Sequence, residues 1–178
     1  IFPDHKTTPQ QRSHISYTLK LVVESMLNHA RPGDIPRFLD ALLGYYNDPA
    51  HTDDDTAFTL LDAARYLPPK HYGEEIREKL VNFAAHFAAS EDLRLVTAAL
   101  QFLRETVRNI PRSHPQMARI ADLVEAVPSP QLTTVFLKCR ILRRAGRDVS
   151  ALERTLYHTD ITSEVFLDNL KIATPWVV

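Results

Sequence analysis

Twelve prolines divide this chain of 178 residues into stretches whose apolar residues recur every three or four positions. Proline breaks the interior of a helix but is accepted in its first turn, so prolines at this spacing mark helix boundaries. No segment alternates polar and apolar residues with period two, as a half-buried strand does. The chain is therefore predicted to be all-helical. Among the nine apolar stripes are Ile76, Leu80, Phe83 and Phe87, then Val135, Phe136, Cys139 and Leu142, and then Leu152, Leu156 and Tyr157.

Two local patterns predict where one helix ends and the next begins. Gly146 follows a stretch whose last turns carry several arginines, and positive charge suits the negative C-terminal end of a helix. Ser150 is followed three residues later by Glu153, which matches a capping box. We therefore expect one helix to end at Gly146 and another to begin at Ser150.

The predicted helices recur in similar pairs. Residues 60–64 (Leu-Leu-Asp-Ala-Ala) and 95–99 (Leu-Val-Thr-Ala-Ala) align at an offset of 35 residues, and a looser copy at 135–139 follows at an offset of 40. Each copy is followed by a second amphipathic stretch. Helix pairs that repeat at this interval resemble HEAT-like or TPR-like α-solenoids. The resemblance is architectural: it covers most of the chain, and no specific family motif accompanies it.

This resemblance implies an all-α fold of paired antiparallel helices, stacked as a short HEAT-like right-handed α-solenoid. An irregular helical bundle is the alternative. We expect a single helical-repeat domain over residues 1–178, with helix pairs at about 10–48, 54–88, 91–127 and 130–159 and a half pair at 162–174.

Both ends of the given sequence are apolar: it starts at Ile1 and stops at Trp176-Val177-Val178. We expect an excerpt of a longer chain, and a mature protein with a processed start is the alternative. The segment at 173–176 is expected either to dock on the preceding helix or to lead into a further domain.

Composition excludes several classes of protein. The single cysteine, Cys139, excludes an intramolecular disulfide framework and a Cys-rich zinc module, and its place on an apolar stripe predicts burial. No segment approaches the ~18 consecutive apolar residues of a membrane span. No signal-peptide pattern is visible either. We therefore expect a cytoplasmic protein that does not bind membranes.

Motifs for catalysis or metal binding are missing from the sequence. It contains no Gly-rich nucleotide loop, no Gly-x-Ser-x-Gly and no His-Glu-x-x-His. His51 and Asp53–55 form the densest set of hard metal ligands, but acidic residues before a helix are favoured by the helix dipole alone. We expect no catalytic residue, no cofactor and no bound metal, and hence no enzyme. A metal-dependent activity at the His51 loop is kept as a third hypothesis.

Charge is distributed unevenly along the chain. Residues 1–93 carry 9 basic and 14 acidic side chains, residues 94–147 carry 10 and 3, and residues 148–178 carry 2 and 5. The net charge of −1 therefore hides a basic middle. Arginine forms forked pairs with carboxylates, so this basic middle is predicted to bind an acidic partner.

Two groups of basic residues make up the predicted contact surface. Within each group, helical spacing or a shared helix end brings the side chains together, and stacked pairs would join the two groups into one patch. A solvated surface, with arginines that complement helix dipoles, is the alternative interpretation. The first group is Arg104, Arg108 and Arg112, four residues apart, and the second is Lys138, Arg140, Arg143, Arg144 and Arg147.

These features predict a non-catalytic protein-interaction or scaffold module that binds an acidic protein surface. Nucleic acid is disfavoured as the partner because the aromatic residues lie mostly on apolar stripes and offer no stacking platform. Self-association is also open, since the acidic flanks complement the basic middle. The alternative function is a regulatory helical domain attached to a catalytic domain, nucleotide-hydrolysing or signalling, that lies outside these residues.

Overall fold

Helices and short connections make up the part of the chain that the structure, a computed structural model, describes. It describes residues 18, 21–23, 25–31, 33–48, 52–67, 71–129 and 131–158, and no strand occurs among them. The all-helical prediction is confirmed. The helices are α1 (Asp34–Asn47), α2 (Asp54–Tyr66), α3 (Glu74–Ala88), α4 (Leu93–Asn109), α5 (Pro115–Ala126), α6 (Leu132–Ala145) and α7 (Ser150–His158).

Residues 21–23 and 25–29 are helical as well, so the predicted pair at 10–48 lies partly within the described residues. The predicted half pair at 162–174 lies outside them. Stacking into a right-handed solenoid stays a prediction.

Polar caps fix where the helices begin, because the first N–H groups of a helix have no partner within it. The side chain of Asp53 caps α2, where its Oδ1 accepts a hydrogen bond from the backbone N–H of Thr56 at 2.7 Å. At the start of α5, His114 Nδ1 accepts from the backbone N–H of Gln116 at 3.2 Å, and Pro115 occupies the first turn.

The boundary between α6 and α7 follows one prediction and departs from another. Gly146 ends α6 with a left-handed φ of 81°, and the N–H of the next residue, Arg147, donates to the carbonyl of Leu142 at 2.9 Å. The predicted capping box at Ser150 is wrong. Asp148 Oδ1 accepts from the N–H of Ser150 at 3.0 Å and from its hydroxyl at 2.6 Å.

The chain divides into two compact units, residues 1–82 and residues 83–178, and the division falls within α3. In the first unit α1 packs against α2, and Leu39 and Leu61 are fully buried. Lys79 joins the first part of α3 to α1 through an ion pair of 3.0 Å between its Nζ and Asp40 Oδ1.

In the second unit α6 holds the central position, because it packs against α4, α5 and α7. Its most extensive contact is with α4. Fully buried side chains from three of these helices form the core: Leu95, Leu100, Phe102, Leu103, Ile120 and Ile141. The two basic groups predicted from the sequence thus belong to the same unit, one centred on α4 and the other on α6.

Candidate functional site

The first basic group lies at the C-terminal end of α4. Arg108 is exposed over 61% of its side chain and pairs through Nη1 with Glu105 Oε2 at 3.0 Å. Arg104 is half-buried, and its Nη2 lies 3.6 Å from the other oxygen of the same carboxylate. The single carboxylate of Glu105 therefore pairs with the guanidinium groups of both Arg104 and Arg108.

Arg112 does not share the helical face predicted for it. Helix α4 ends at Asn109, and Ile110 is extended, with φ of −110° and ψ of 149°. The cause is Pro111, because a proline disfavours helical dihedral angles at the residue before it. Arg112 is instead exposed in the turn that leads to α5.

Lys138 belongs to the interior rather than to an exposed surface, contrary to the prediction. Only 6% of its surface is accessible. Its Nζ donates to the carbonyl oxygen of Glu125 at 3.1 Å and to that of Val127, both at the C-terminal end of α5. Burial lowers the pKa of Lys138, and the negative charge of Glu125 partly opposes that shift. Lys138 thus satisfies carbonyls that α5 leaves unpaired.

Arg144 likewise donates hydrogen bonds to carbonyls at the C-terminal end of a helix, in this case α4. It is half-buried, and its Nε donates to the carbonyl oxygen of Val107 at 3.2 Å while its Nη2 donates to that of Ile110 at 3.4 Å. A positive charge at this place also complements the negative end of the helix dipole. The alternative interpretation, arginines that complement helix ends, therefore applies to Arg144.

Arg143 and Arg147 pair with acidic residues of neighbouring helices. Arg143 forms an ion pair with Glu153 of α7. Arg147, just beyond α6, forms an ion pair with Asp122 of α5. Its Nε also lies 3.7 Å from Oε1 of Glu125. Most of the second basic group thus connects α6 to its three neighbours within the unit.

Arg140 is exposed, as are Arg143 and Arg147 of the second group, and it lies beside an aromatic residue that the sequence places in the core. Its guanidinium carbon is 5.2 Å from the ring centroid of Phe136, a cation–π arrangement. Phe136 is 45% exposed, and Tyr157 of α7 is 82% exposed, although both were assigned to apolar stripes. One signal for Phe136 was its position four residues before Arg140 and seven before Arg143, which puts it on their face of the helix.

The remaining candidates from the sequence are Cys139 and the possible metal ligands around His51. Cys139 is buried, as predicted. Among the residues that the structure describes, no three His, Cys, Asp or Glu side chains are grouped so that they can hold a metal ion. His51 lies outside that part of the chain. No helix within the described ranges is long and apolar enough to cross a bilayer.

The described residues form an all-helical fold whose second unit carries several exposed arginines. No family model, no curated protein and no solved structure matches the chain. A functional assignment therefore depends on the exposed residues described above.

Proposed function

We propose that this chain is a non-catalytic protein-interaction module that binds an acidic partner through Arg104, Arg108 and Arg112, named here the α4 arginine surface. The observation that carries the proposal is the excess of positive charge at this place. Arg104 and Arg108 lie near the C-terminal end of α4, Arg112 follows three residues after that end, and Glu105 is the carboxylate that pairs with the first two.

Arg144 also lies at this end of α4, but its guanidinium is hydrogen-bonded to the carbonyls of Val107 and Ile110, so it is not counted in the α4 arginine surface. Arg108 and Arg112 are exposed, so a partner can reach them. Arginine presents a planar fork of donors that fits a carboxylate in two parallel hydrogen bonds. Charge complementarity of this kind speeds encounter and selects the partner. An acidic protein surface is the partner that this chemistry favours.

The packing of α4 on α6 supports the proposal that the helix pairs stack, as in a short HEAT-like α-solenoid. A stack of helix pairs requires contact between alternate helices, because each pair buries its apolar face against the next. A module of this kind presents one helix from each pair along a shared surface, on which an extended partner can lie.

The proposal is tested by affinity capture from cell lysate with two double variants that change net charge equally. Arg108→Glu/Arg112→Glu reverses the α4 arginine surface. Arg31→Glu/Arg154→Glu, at two exposed arginines that do not belong to this surface, is the matched control. We expect the wild type and the control to recover the same protein and the first variant to lose it. Recovery should also weaken as salt is raised, because exposed charges are screened.

Equal recovery by the wild type and Arg108→Glu/Arg112→Glu contradicts the proposal, and so does a wild-type chain that recovers no protein. Far-ultraviolet circular dichroism of each variant verifies that its helices are intact before capture is compared.

A further inference from the structure

Helices α6 and α7 share an exposed surface of aromatic and charged residues. On α6, Phe136, Arg140 and Arg143 are spaced by four and three residues, which places them on one helical face. On α7, Glu153 and Tyr157 share a face for the same reason. The ion pair between Arg143 and Glu153 joins these two faces. We name the combined surface, Phe136, Arg140, Arg143, Glu153 and Tyr157, the α6–α7 face.

The composition of this surface is unusual for one that faces water. Phe136 and Tyr157 are the exposed large hydrophobic side chains among the described residues of the second unit, and both lie on it. Arg140 extends over the ring of Phe136. Aromatic residues and arginine are the types most enriched where one protein segment packs on another. The α6–α7 face therefore has the properties of a surface that another segment covers.

The sequence that follows α7 complements this surface. Residues 159–178 begin directly after His158, one residue beyond Tyr157. Their apolar residues are of the kind that packs against the two exposed rings, and the charge of their acidic residues is opposite to that of Arg140. The apolar residues include Val165, Phe166, Leu167, Leu170, Ile172 and Trp176, and the acidic ones are Asp160, Glu164 and Asp168.

Tethering makes this segment the favoured occupant. A segment joined to α7 by the chain has a high effective concentration at the α6–α7 face, whereas a separate protein must lose translational freedom to bind there. We propose that residues 159–178 pack on the α6–α7 face of the same molecule and cover Phe136 and Tyr157. The contact uses none of the three residues of the α4 arginine surface, so it stands independently of the proposed function.

The segment carries its own reporter, because Trp176 is the single tryptophan of the chain. The measurement is acrylamide quenching of Trp176 fluorescence in the full chain. Phe136→Ser/Tyr157→Ser removes the two exposed rings, and Leu27→Ser, at an exposed apolar residue of the first unit, is the control. We expect Trp176 to be shielded in the wild type and in the control, and quenched several-fold more strongly in the double variant.

A second variant acts from the side of the segment and leaves every described residue unchanged. In Glu164→Lys/Asp168→Lys two acidic residues whose charge complements that of Arg140 become basic, so quenching should rise toward that of the double variant. Circular dichroism verifies that α1–α7 are retained in both variants.

Three results overturn the inference. The first is wild-type Trp176 that is quenched as strongly in buffer as in urea. The second is shielding that survives both variants, which places the segment elsewhere. The third is shielding that is lost on dilution, which identifies the occupant as the segment of a second copy.

Discussion

Arg144 of α6 donates a hydrogen bond from its Nε to the backbone carbonyl oxygen of Val107 in α4, with a nitrogen–oxygen distance of 3.2 Å. A second bond, from its Nη2 to the carbonyl of Ile110, completes the cap of the same helix. Its neighbour in sequence, Arg143, extends in the other direction to Glu153 of α7. The two adjacent arginines therefore contact different helices, and their substitution should lower the free energy of unfolding by different amounts.

Arg144→Met should lower the free energy of unfolding by about 1–2 kcal/mol, because half-buried carbonyls lose their donor. Arg143→Met is the matched control. Its ion pair is more than half exposed on the arginine side, and surface pairs contribute about 0–1 kcal/mol. Urea denaturation followed by circular dichroism measures both values. A larger loss for Arg143→Met than for Arg144→Met contradicts this account.

Lys138→Met should destabilise the second unit, because it removes the donor to the carbonyls of Glu125 and Val127. The expected loss is about 1–3 kcal/mol, the cost of leaving buried acceptors unpaired. Lys79→Met is the control, since it removes an exposed lysine with two surface ion pairs. Equal urea midpoints for the two variants would show that Lys138 does not cap α5.

Tyr72→Phe should stabilise the protein. The Tyr72 hydroxyl is buried without a hydrogen-bond partner among the described residues, so its removal should add about 1 kcal/mol at neutral pH. Burial also raises the pKa of Tyr72, an effect that the charge of Arg77 partly opposes. Above pH of about 10 the unfolded phenol therefore ionises before the folded one, and wild-type stability falls as pH rises.

The advantage of Tyr72→Phe should accordingly widen in alkaline solution. Tyr157→Phe, at an exposed tyrosine, is the control for the loss of a hydroxyl. Thermal unfolding at neutral and alkaline pH measures the difference. A Tyr72→Phe variant that is less stable than the wild type contradicts the absence of a partner for this hydroxyl.

Asp92→Asn should reduce stability at neutral pH and have less effect in acid. Hydrogen bonds from the Arg94 guanidinium hold the pKa of Asp92 below its ordinary value; the backbone N–H of Arg94 adds to this shift and partial burial opposes it. A depressed folded pKa means that the carboxylate stabilises the fold above pH of about 4, and that this contribution is lost as pH falls through the folded pKa.

Glu91→Gln, which removes the neighbouring carboxylate, is the control for Asp92→Asn. Urea midpoints at pH values above and below the Asp92 titration measure the difference from the wild type. The account predicts a difference that shrinks in acid, and a difference that grows in acid contradicts it.

Local patterns predicted the helices well because each depends on neighbouring residues. The apolar period identified α1–α7, and Gly146 ends α6 because glycine readily adopts the left-handed conformation found there. The helical face predicted for Arg112 was wrong, because α4 ends at Asn109, before Pro111.

The site was harder to predict because it depends on which part of α6 faces water. This helix contacts three others and is buried around most of its circumference, so its apolar period left the exposed sector around Phe136 and Arg140 unresolved. A count of charges also treats Lys138 and Arg140 alike. Only the fold places the carbonyls of α5 within reach of the flexible Lys138 side chain.

We propose that the basic residues of α6 mainly hold helices together, whereas the α4 arginine surface binds a partner. One experiment tests it most directly: partner capture and the urea midpoint are measured for Arg108→Gln/Arg112→Gln and for Arg144→Met. The first variant should lose the partner and keep a urea midpoint close to that of the wild type, while the second should keep the partner and have a lower midpoint. A first variant that still captures the partner with wild-type recovery contradicts the claim.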